Sequence, residues 1–479
     1  MGNPRFPSLY QINTRVWVKG GTLDDAPDSD LDRIASLGFD WVWLLGVWQN
    51  GPKGIEAAMA EAPLVGEYHR VLPDFSESDV CGSCFAVQDY TVNRSLGGDA
   101  ALARMKERLH KRGLRLMLDL VPNHTAIDHP WVQEHPEFYV HGTEEDVARS
   151  PGNYCRVGSM ILAHGRDPYF PGWRDSLQLN YAEPATREAM TSVMLKIAGM
   201  ADGVRCDMSM LLLPDVFERT WGRRPRPFWP EAIGRVRAAH PEFVLMAEVY
   251  WDLEWELQQQ GFDYTYDKRL YDRLRQGHPV PIRNHFRADA TYQRRSARFL
   301  ENHDEPRAAA TFTPEVHRAA AVLTFLSPGL RFFHDGQLEG RRIHIPMQLC
   351  RAPAEQVDQE IGAFYARLLE CLRDPTLRDG YWELLDCAPA WDNNWTWDCF
   401  IAFTWRAPGG RRLLVAVNYA GNQSQCRVRL PFEKMRGRKV RLQEMMSPTA
   451  YDRDGNELLD RGLYVELEPW GYHVLDVRV

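Results

Sequence analysis

Residues 114–124 read LRLMLDLVPNH. The segment 114–121 has the apolar run of a strand, yet Asp119 near its end and Asn123 and His124 just beyond are polar residues that a buried run does not need. Upstream, Asp99 is placed to cap a helix that turns Leu102, Met105 and Leu109 inward, with Gly113 beyond its end. This helix–strand unit belongs to an alternation that extends both ways. Toward the N-terminus, 9–18 reads as a strand. Leu31, Ile34 and Leu37 then space an amphipathic helix closed by Gly38, and 39–45 (FDWVWLL) is a continuous apolar run expected for a strand buried on both faces.

Past residue 121 the alternation pauses. Residues 122–182 are rich in Pro, Gly, His and aromatics without a period, and are too long for an ordinary loop. A helix resumes at Pro184 with Met190, Val193, Ile197 and Met200 on one face, and 203–207 and 243–248 read as strands four and five. A sixth falls near 262–266, and 297–301 and 330–333 complete a set of eight. Thr313–Pro314 starts one further helix. Val357, Ile361, Phe364, Leu368 and Leu372 stripe the next, which Pro375 ends. From 377 helical spacing gives way to short alternating strands in LLVAVNYAG, CRVRLPF and YHVLDVRV. The expected fold is α/β: a (β/α)8 TIM barrel from 1–121 and 183–376, an inserted subdomain at 122–182 after strand three, and a C-terminal antiparallel β-sandwich at 377–479. A doubly wound open sheet is the alternative, but no Gly-rich dinucleotide turn follows the first strand.

Composition narrows the function classes. At 479 residues, with 44% hydrophobic and 25% charged residues, the chain has a globular profile and is long enough for more than one domain. Its net charge of −8 argues against a nucleic-acid or anionic-membrane partner. No apolar run is long enough to span a bilayer, and the start, MGNPRFPSLYQINTRVWV, lacks the apolar core of a signal peptide. Nine scattered cysteines suggest reduced thiols and a cytoplasmic protein. Cys81 and Cys84 make one CxxC; without a second pair they read as loop thiols rather than a zinc site. Nothing in the sequence specifies an oligomeric state.

A barrel of this kind carries its active site at the C-terminal ends of its strands. Four ends are polar here: Asp119 with Asn123 and His124, Arg205 with Asp207 (GVRCD), Glu248 (LMAEVY), and Asn302-His303-Asp304 (ENHDEPR). One such end is commonly a helix cap or a satisfied histidine; four at one barrel mouth point to chemistry. Retaining glycoside cleavage needs a carboxylate to attack the anomeric carbon and a carboxylic acid to protonate the leaving oxygen. Arg205, two residues before Asp207, faces the same side of its strand and is expected to keep Asp207 ionised. Glu248 is expected to have a raised pKa, through burial and neighbouring negative charge. His124 and His303 suit directed hydrogen bonds to sugar hydroxyls, and Asp304 suits a ring on which positive charge develops.

The ordered segments DLVPNH, GVRCD, LMAEV and ENHD resemble the four signature segments of the α-amylase superfamily, glycoside hydrolase family 13. The resemblance extends to YQINTRVWV and to QDY at 88–90. It implies Asp207 as nucleophile, Glu248 as general acid/base and Asp304 as transition-state stabiliser. Arg205, His124 and His303 would line the subsite of the cleaved sugar, with Phe85, Asp89, Tyr90 and Arg307 as further substrate-binding residues, and Asp119 would support Arg205. No cofactor is required. The resemblance makes Asn123 a candidate ligand of a structural calcium; a purely hydrogen-bonding Asn123 is the alternative, because the inserted segment has no Asp-rich loop.

The departures concern substrate choice. Where many α-amylases carry Lys-His after the nucleophile this chain has Met210 and Leu211, and a Tyr-Asp pair is replaced by Phe85-Ala86. These point to short α-glucosides rather than long starch chains, with hydrolysis and glycosyl transfer both open. A catalytically inert barrel with a carbohydrate-binding or assembly role is the second reading. A metalloenzyme using His124 and His303 is a third, lacking a clear third ligand.

Overall fold

The computed structural model describes residues 4–479. Eight parallel strands close into a barrel: β1 (Ser8–Asn13), β2 (Trp41–Leu45), β3 (Arg115–Leu120), β4 (Gly203–Cys206), β5 (Val244–Ala247), β6 (Tyr264–Tyr266), β7 (Ser296–Arg298) and β8 (Leu330–His334). Each neighbours its successor and β8 returns to β1. The FDWVWLL run behaves as its composition dictates, with β2 buried along its whole length.

Strand one is shorter than its apolar sequence suggests. It stops at Asn13, and Thr14–Trp17 forms a helical turn that sets Arg15 against the carbonyls of Gly82 and Met347. Asp99 does not cap its helix, Gly98–His110; Gly97 holds that position, and the Asp99 carboxylate accepts the Val92 N–H at 2.8 Å. Thr313 precedes the helix Pro314–Phe325 without a side-chain cap bond. Val357 lies before Gln359–Leu372 and is half exposed, so the stripe begins at Ile361.

Two excursions rise from the strand ends. Between β2 and β3, an antiparallel pair (Trp48–Asn50 with Val87–Val92) brackets the helices Pro52–Ala60 and Ala62–Val71. Between β3 and the helix Pro184–Met200, two small hairpin-like pairs form: His124–Ala126 with Ser176–Gln178, and Tyr154–Val157 with Met160–Ala163.

After the barrel come a six-stranded antiparallel sheet and a three-stranded one. The six-stranded sheet includes β9 (Phe400–Arg406), β10 (Arg412–Asn418), β11 (Lys439–Glu444) and β12 (Tyr472–Arg478), with β12 between β10 and β11. Alternation was the expected signature of LLVAVNYAG, but β10, like its neighbour β9, is apolar almost throughout because both faces are covered. Phe400, Ala402, Leu414 and Ala416 pack toward the three-stranded sheet, while Ile401, Phe403, Trp405, Val415 and Val417 join the barrel's core. Trp405 donates its indole N–H to the Leu326 carbonyl at 2.7 Å. Among the described residues no helix is long and apolar enough to cross a membrane.

Candidate active site

The barrel ladder continues beyond the formal strand ends and fixes the acidic residues. Asp207 N–H donates to the Leu120 carbonyl at 2.8 Å and Glu248 N–H to the Cys206 carbonyl at 3.0 Å, so Asp207 and Glu248 sit one step above β4 and β5. In-register pairing sets Arg205 level with Asp119 on β3. Met208 then adopts a left-handed backbone (φ 41°), which turns its N–H onto Glu248 Oε2 at 2.7 Å. Asp304 follows β7; its N–H and that of Glu305 both donate to Asn302 Oδ1 at 2.9 Å, which shapes the turn.

Arg205 is fully buried and bridges the two carboxyls, with Nη1 2.8 Å from Asp207 Oδ1 and Nη2 2.7 Å from Glu248 Oε2. The rings of Phe85 and Trp43 lie 5.0 and 5.4 Å from its guanidinium carbon. Arg205 was expected to keep Asp207 ionised, and it pairs with Glu248 as well. Burial pushes both carboxyls upward, Glu248 to about 7, and Arg205 pulls both back. The neighbouring Asp304 carboxylate raises both as well. Two adjacent buried carboxyls hold one proton most easily, and the pair titrates as a unit. The Tyr250 hydroxyl donates to Glu248 Oε1 at 2.7 Å. Asp304 is the open member of the trio, its side chain a third exposed.

The histidines are neutral. Gln11 donates its amide to His303 Nδ1 at 2.8 Å, which leaves the proton on Nε2, 3.1 Å from Asp304 Oδ2; burial and Arg205 hold its pKa far below the usual range. Burial takes His124 down to about 4, and its ring lies 5.1 Å from Trp173. Asp119 stands 3.8 Å from Arg205 and accepts the Gly46 N–H at 3.2 Å.

A cavity of about 340 Å³ brings together Asp207, Glu248, Asp304, His124 and Phe85. Other expected residues lie elsewhere. Asp89 is on the surface, accepting from Thr91. The Tyr90 hydroxyl is spent on the backbone of Val121, donating to its carbonyl at 3.0 Å and accepting its N–H at 2.9 Å. Arg307 is buried against Glu301 at 2.7 Å and the Asp335 carbonyl, tying the β7 and β8 loops together. Met210 and Leu211 are core residues, and Met208 faces the cavity instead. Asn123 is a poor calcium ligand: Gln178 Nε2 donates to both its side-chain and main-chain oxygens, at 3.0 and 2.9 Å, and among the described residues no group of three or more His, Cys, Asp or Glu is placed to hold a metal ion. The residues present do not fit that ion.

Sequence reasoning missed Tyr250, Trp173, Asp175, Met347 and Gln348, which also line the cavity. Tyr250 was findable, since it stands two residues past Glu248, the spacing that pointed to Arg205. The others come from segments without a period.

Comparison with known proteins bears on the family and the fold. The family model "Alpha amylase, catalytic domain" matches residues 21–271, just over half of the chain. Alpha-amylase MalA of Haloarcula japonica is 27% identical over 348 residues, covering 70% of this chain and 44% of that protein. Trehalose synthase of Thermus thermophilus is 25% identical over 336 residues, covering 62% and 31%. The chain thus spans less than half the length of these relatives. The maltogenic α-amylase AmyB of Thermotoga neapolitana shares the fold, with TM-score 0.73 at 19% identity over 99% of each chain. The chain belongs to the α-amylase family.

Proposed function

We propose that the protein cleaves short α-glucosides with retention, through a covalent glycosyl ester on Asp207, and passes the glycosyl unit to water or to a second sugar. The observation that carries this reading is the convergence of Asp207, Glu248 and Asp304 on one cavity, with Arg205 bridging the first two. An Asp207 oxygen attacks the anomeric carbon while the bond to the leaving oxygen breaks, and Glu248 gives that oxygen its proton. The acceptor hydroxyl then returns a proton to Glu248 as it displaces Asp207. A Glu248 pKa of about 7 suits both halves at neutral pH. Asp304 and the neutral His303 and His124 hold hydroxyls of the reacting ring.

The small volume, walled by Phe85, Ala86, Trp173 and Met347, supports a short substrate. The nine cysteines, all free, fit a reducing, cytoplasmic setting. Incubation with 5-fluoro-α-glucosyl fluoride, followed by peptide mass spectrometry, tests the chemistry: the expected result is one fluoroglucosyl adduct on the Asp207 peptide. An adduct elsewhere, or turnover that survives Asp207→Asn, overturns it. A panel of maltooligosaccharides, sucrose, trehalose and glucosyl-glycerol then identifies donor and acceptor.

A further inference from the structure

Two thiols meet beside the catalytic cavity and take no part in the chemistry above. Residues 79–81, in the excursion between β2 and β3, run antiparallel to residues 348–350, beyond β8. Val80 and Leu349 form a bridge; the Cys81 N–H donates to the Gln348 carbonyl at 2.8 Å and the Cys350 N–H to that of Asp79 at 2.9 Å. Cys81 and Cys350 each follow the bridged residue by one position, so they are diagonal neighbours on one face of the pair. Each thiol leans toward the facing segment. Cys81 Sγ lies 3.2 Å from the Gln348 carbonyl oxygen and Cys350 Sγ 3.3 Å from that of Asp79, and the two side chains are in hydrogen-bond contact. That contact, with the Arg15 charge assisting, holds the Cys350 thiol below its usual range against the effect of burial, which makes it the readier thiolate. Cys350 is partly exposed, whereas Cys84, the other half of the CxxC, is buried.

The surroundings hold the pair in place. Arg351 forks onto Asp79 at 2.7 and 2.8 Å and reaches Asp74 at 3.0 Å, which clamps the two segments together. Val80 and Leu349 join Tyr68, Val71 and Leu72 in a small apolar cluster separate from the barrel core. Both segments continue into the catalytic cavity. Ser83 and Phe85 stand in its wall from one segment and Met347 and Gln348 from the other, and His344 contacts the His303 carbonyl at 2.8 Å. Residues 335–358, which carry the second wall, form no helix or strand, so its position depends on cross-contacts of this kind.

We propose that Cys81 and Cys350 are a site of reversible oxidation, at which a small-molecule disulfide such as glutathione disulfide converts the two thiols to a cystine that staples the facing segments and fixes one wall of the catalytic cavity. The Cys350 thiolate attacks one glutathione sulfur and expels the other glutathione as thiolate. The Cys81 thiolate then attacks Cys350 Sγ and expels the second. In sum the two thiols lose two electrons and two protons, and the disulfide that accepts them becomes two molecules of glutathione. A link made and broken by exchange is the form that disulfides usually take in a reducing compartment.

The test is incubation of the full chain with glutathione disulfide, blocking of the remaining thiols with iodoacetamide, and mass spectrometry of unreduced peptides. The expected product joins the Cys81 and Cys350 peptides, is undone by dithiothreitol, and raises the melting temperature by about 3 °C. Cys84→Ser should keep the link. Cys350→Ser, which leaves the Cys387–Cys426 contact of the terminal sheets untouched, should lose both link and shift. Oxidation should also lower kcat/KM on maltotriose by at least about threefold, reversibly, because substrate passes between walls that no longer move apart. This activity arm rests on the glycosidase reading; the mass and melting arms do not. Free Cys81 and Cys350 after oxidation, or a Cys81–Cys84 link in their place, overturns the site. A link that leaves the melting temperature in place overturns the staple, and one that stabilises yet leaves kcat/KM unchanged overturns its hold on the cavity. A wild type that forms the link but turns over no α-glucoside refutes the glycosidase reading and keeps the site.

Discussion

Replacing Arg205 by Met removes the cation between two buried carboxyls and keeps most of the side-chain volume. Its nitrogens lie 2.8 Å from Asp207 and 2.7 Å from Glu248, and the guanidinium is fully buried. At an effective dielectric near 20, one such pair is worth about 4 kcal/mol. Sharing between the two carboxyls and relaxation leave each with only part of this. Arg205 lowers both groups, so its removal raises both. The acidic limb of the pH–rate profile, set by ionisation of Asp207, and the basic limb, set by deprotonation of Glu248, should move together to higher pH. On the acidic limb the loss should exceed about tenfold, with about 1000-fold as the ceiling that the pair energy sets. The assay is initial-rate kcat/KM on maltotriose, whose leaving oxygen needs the proton of Glu248, across pH and below the melting temperature of the variant. Arg205→Lys keeps the charge but cannot span both partners, and should fall between the two. A folded Arg205→Met enzyme that loses rate while both limbs stay in place would refute the electrostatic account and leave only a steric role.

Two further outcomes concern stability. Glu254 is buried and pushed up to about 7 by desolvation. The unfolded chain releases this proton at lower pH, so stability falls by about 3 kcal/mol as pH rises through the window ending near 7. Glu254→Gln should therefore melt higher than wild type at pH 8 and about equally at pH 4; an equal difference at both values contradicts the assignment. Because Gln178 occupies the oxygens of Asn123, millimolar calcium or its chelation should move the melting temperature by less than about 1 °C. A calcium-dependent rise of several degrees would restore the ion site.

The barrel was legible because its strands are buried on both faces, and such runs stand out whatever their neighbours do. The same physics misled at β10, where an apolar run meant a sheet sandwiched between two cores rather than an alternating strand. Strand-end carboxylates were legible because backbone geometry fixes which side chains share a face, as with Arg205 and Asp207. Asp89, Tyr90 and Arg307 were assigned by resemblance alone, and their side chains serve the surface, the Val121 backbone and Glu301. Trp173 and Asp175 reach the cavity from an aperiodic insertion, where position depends on tertiary packing that no local pattern encodes.

The sheet order has a consequence for how the molecule assembles. β12 is the latest of the six strands in sequence, yet it lies between β10 and β11, and β10 is also pressed against the barrel. Until β12 emerges and inserts, β10 and β11 each present an unpaired edge, and their apolar faces lack their final lateral support. The barrel wall beneath is then covered by an unfinished sheet. During synthesis this interval is the one in which the nascent chain is most open to misassociation, and a chaperone's protection would matter most there.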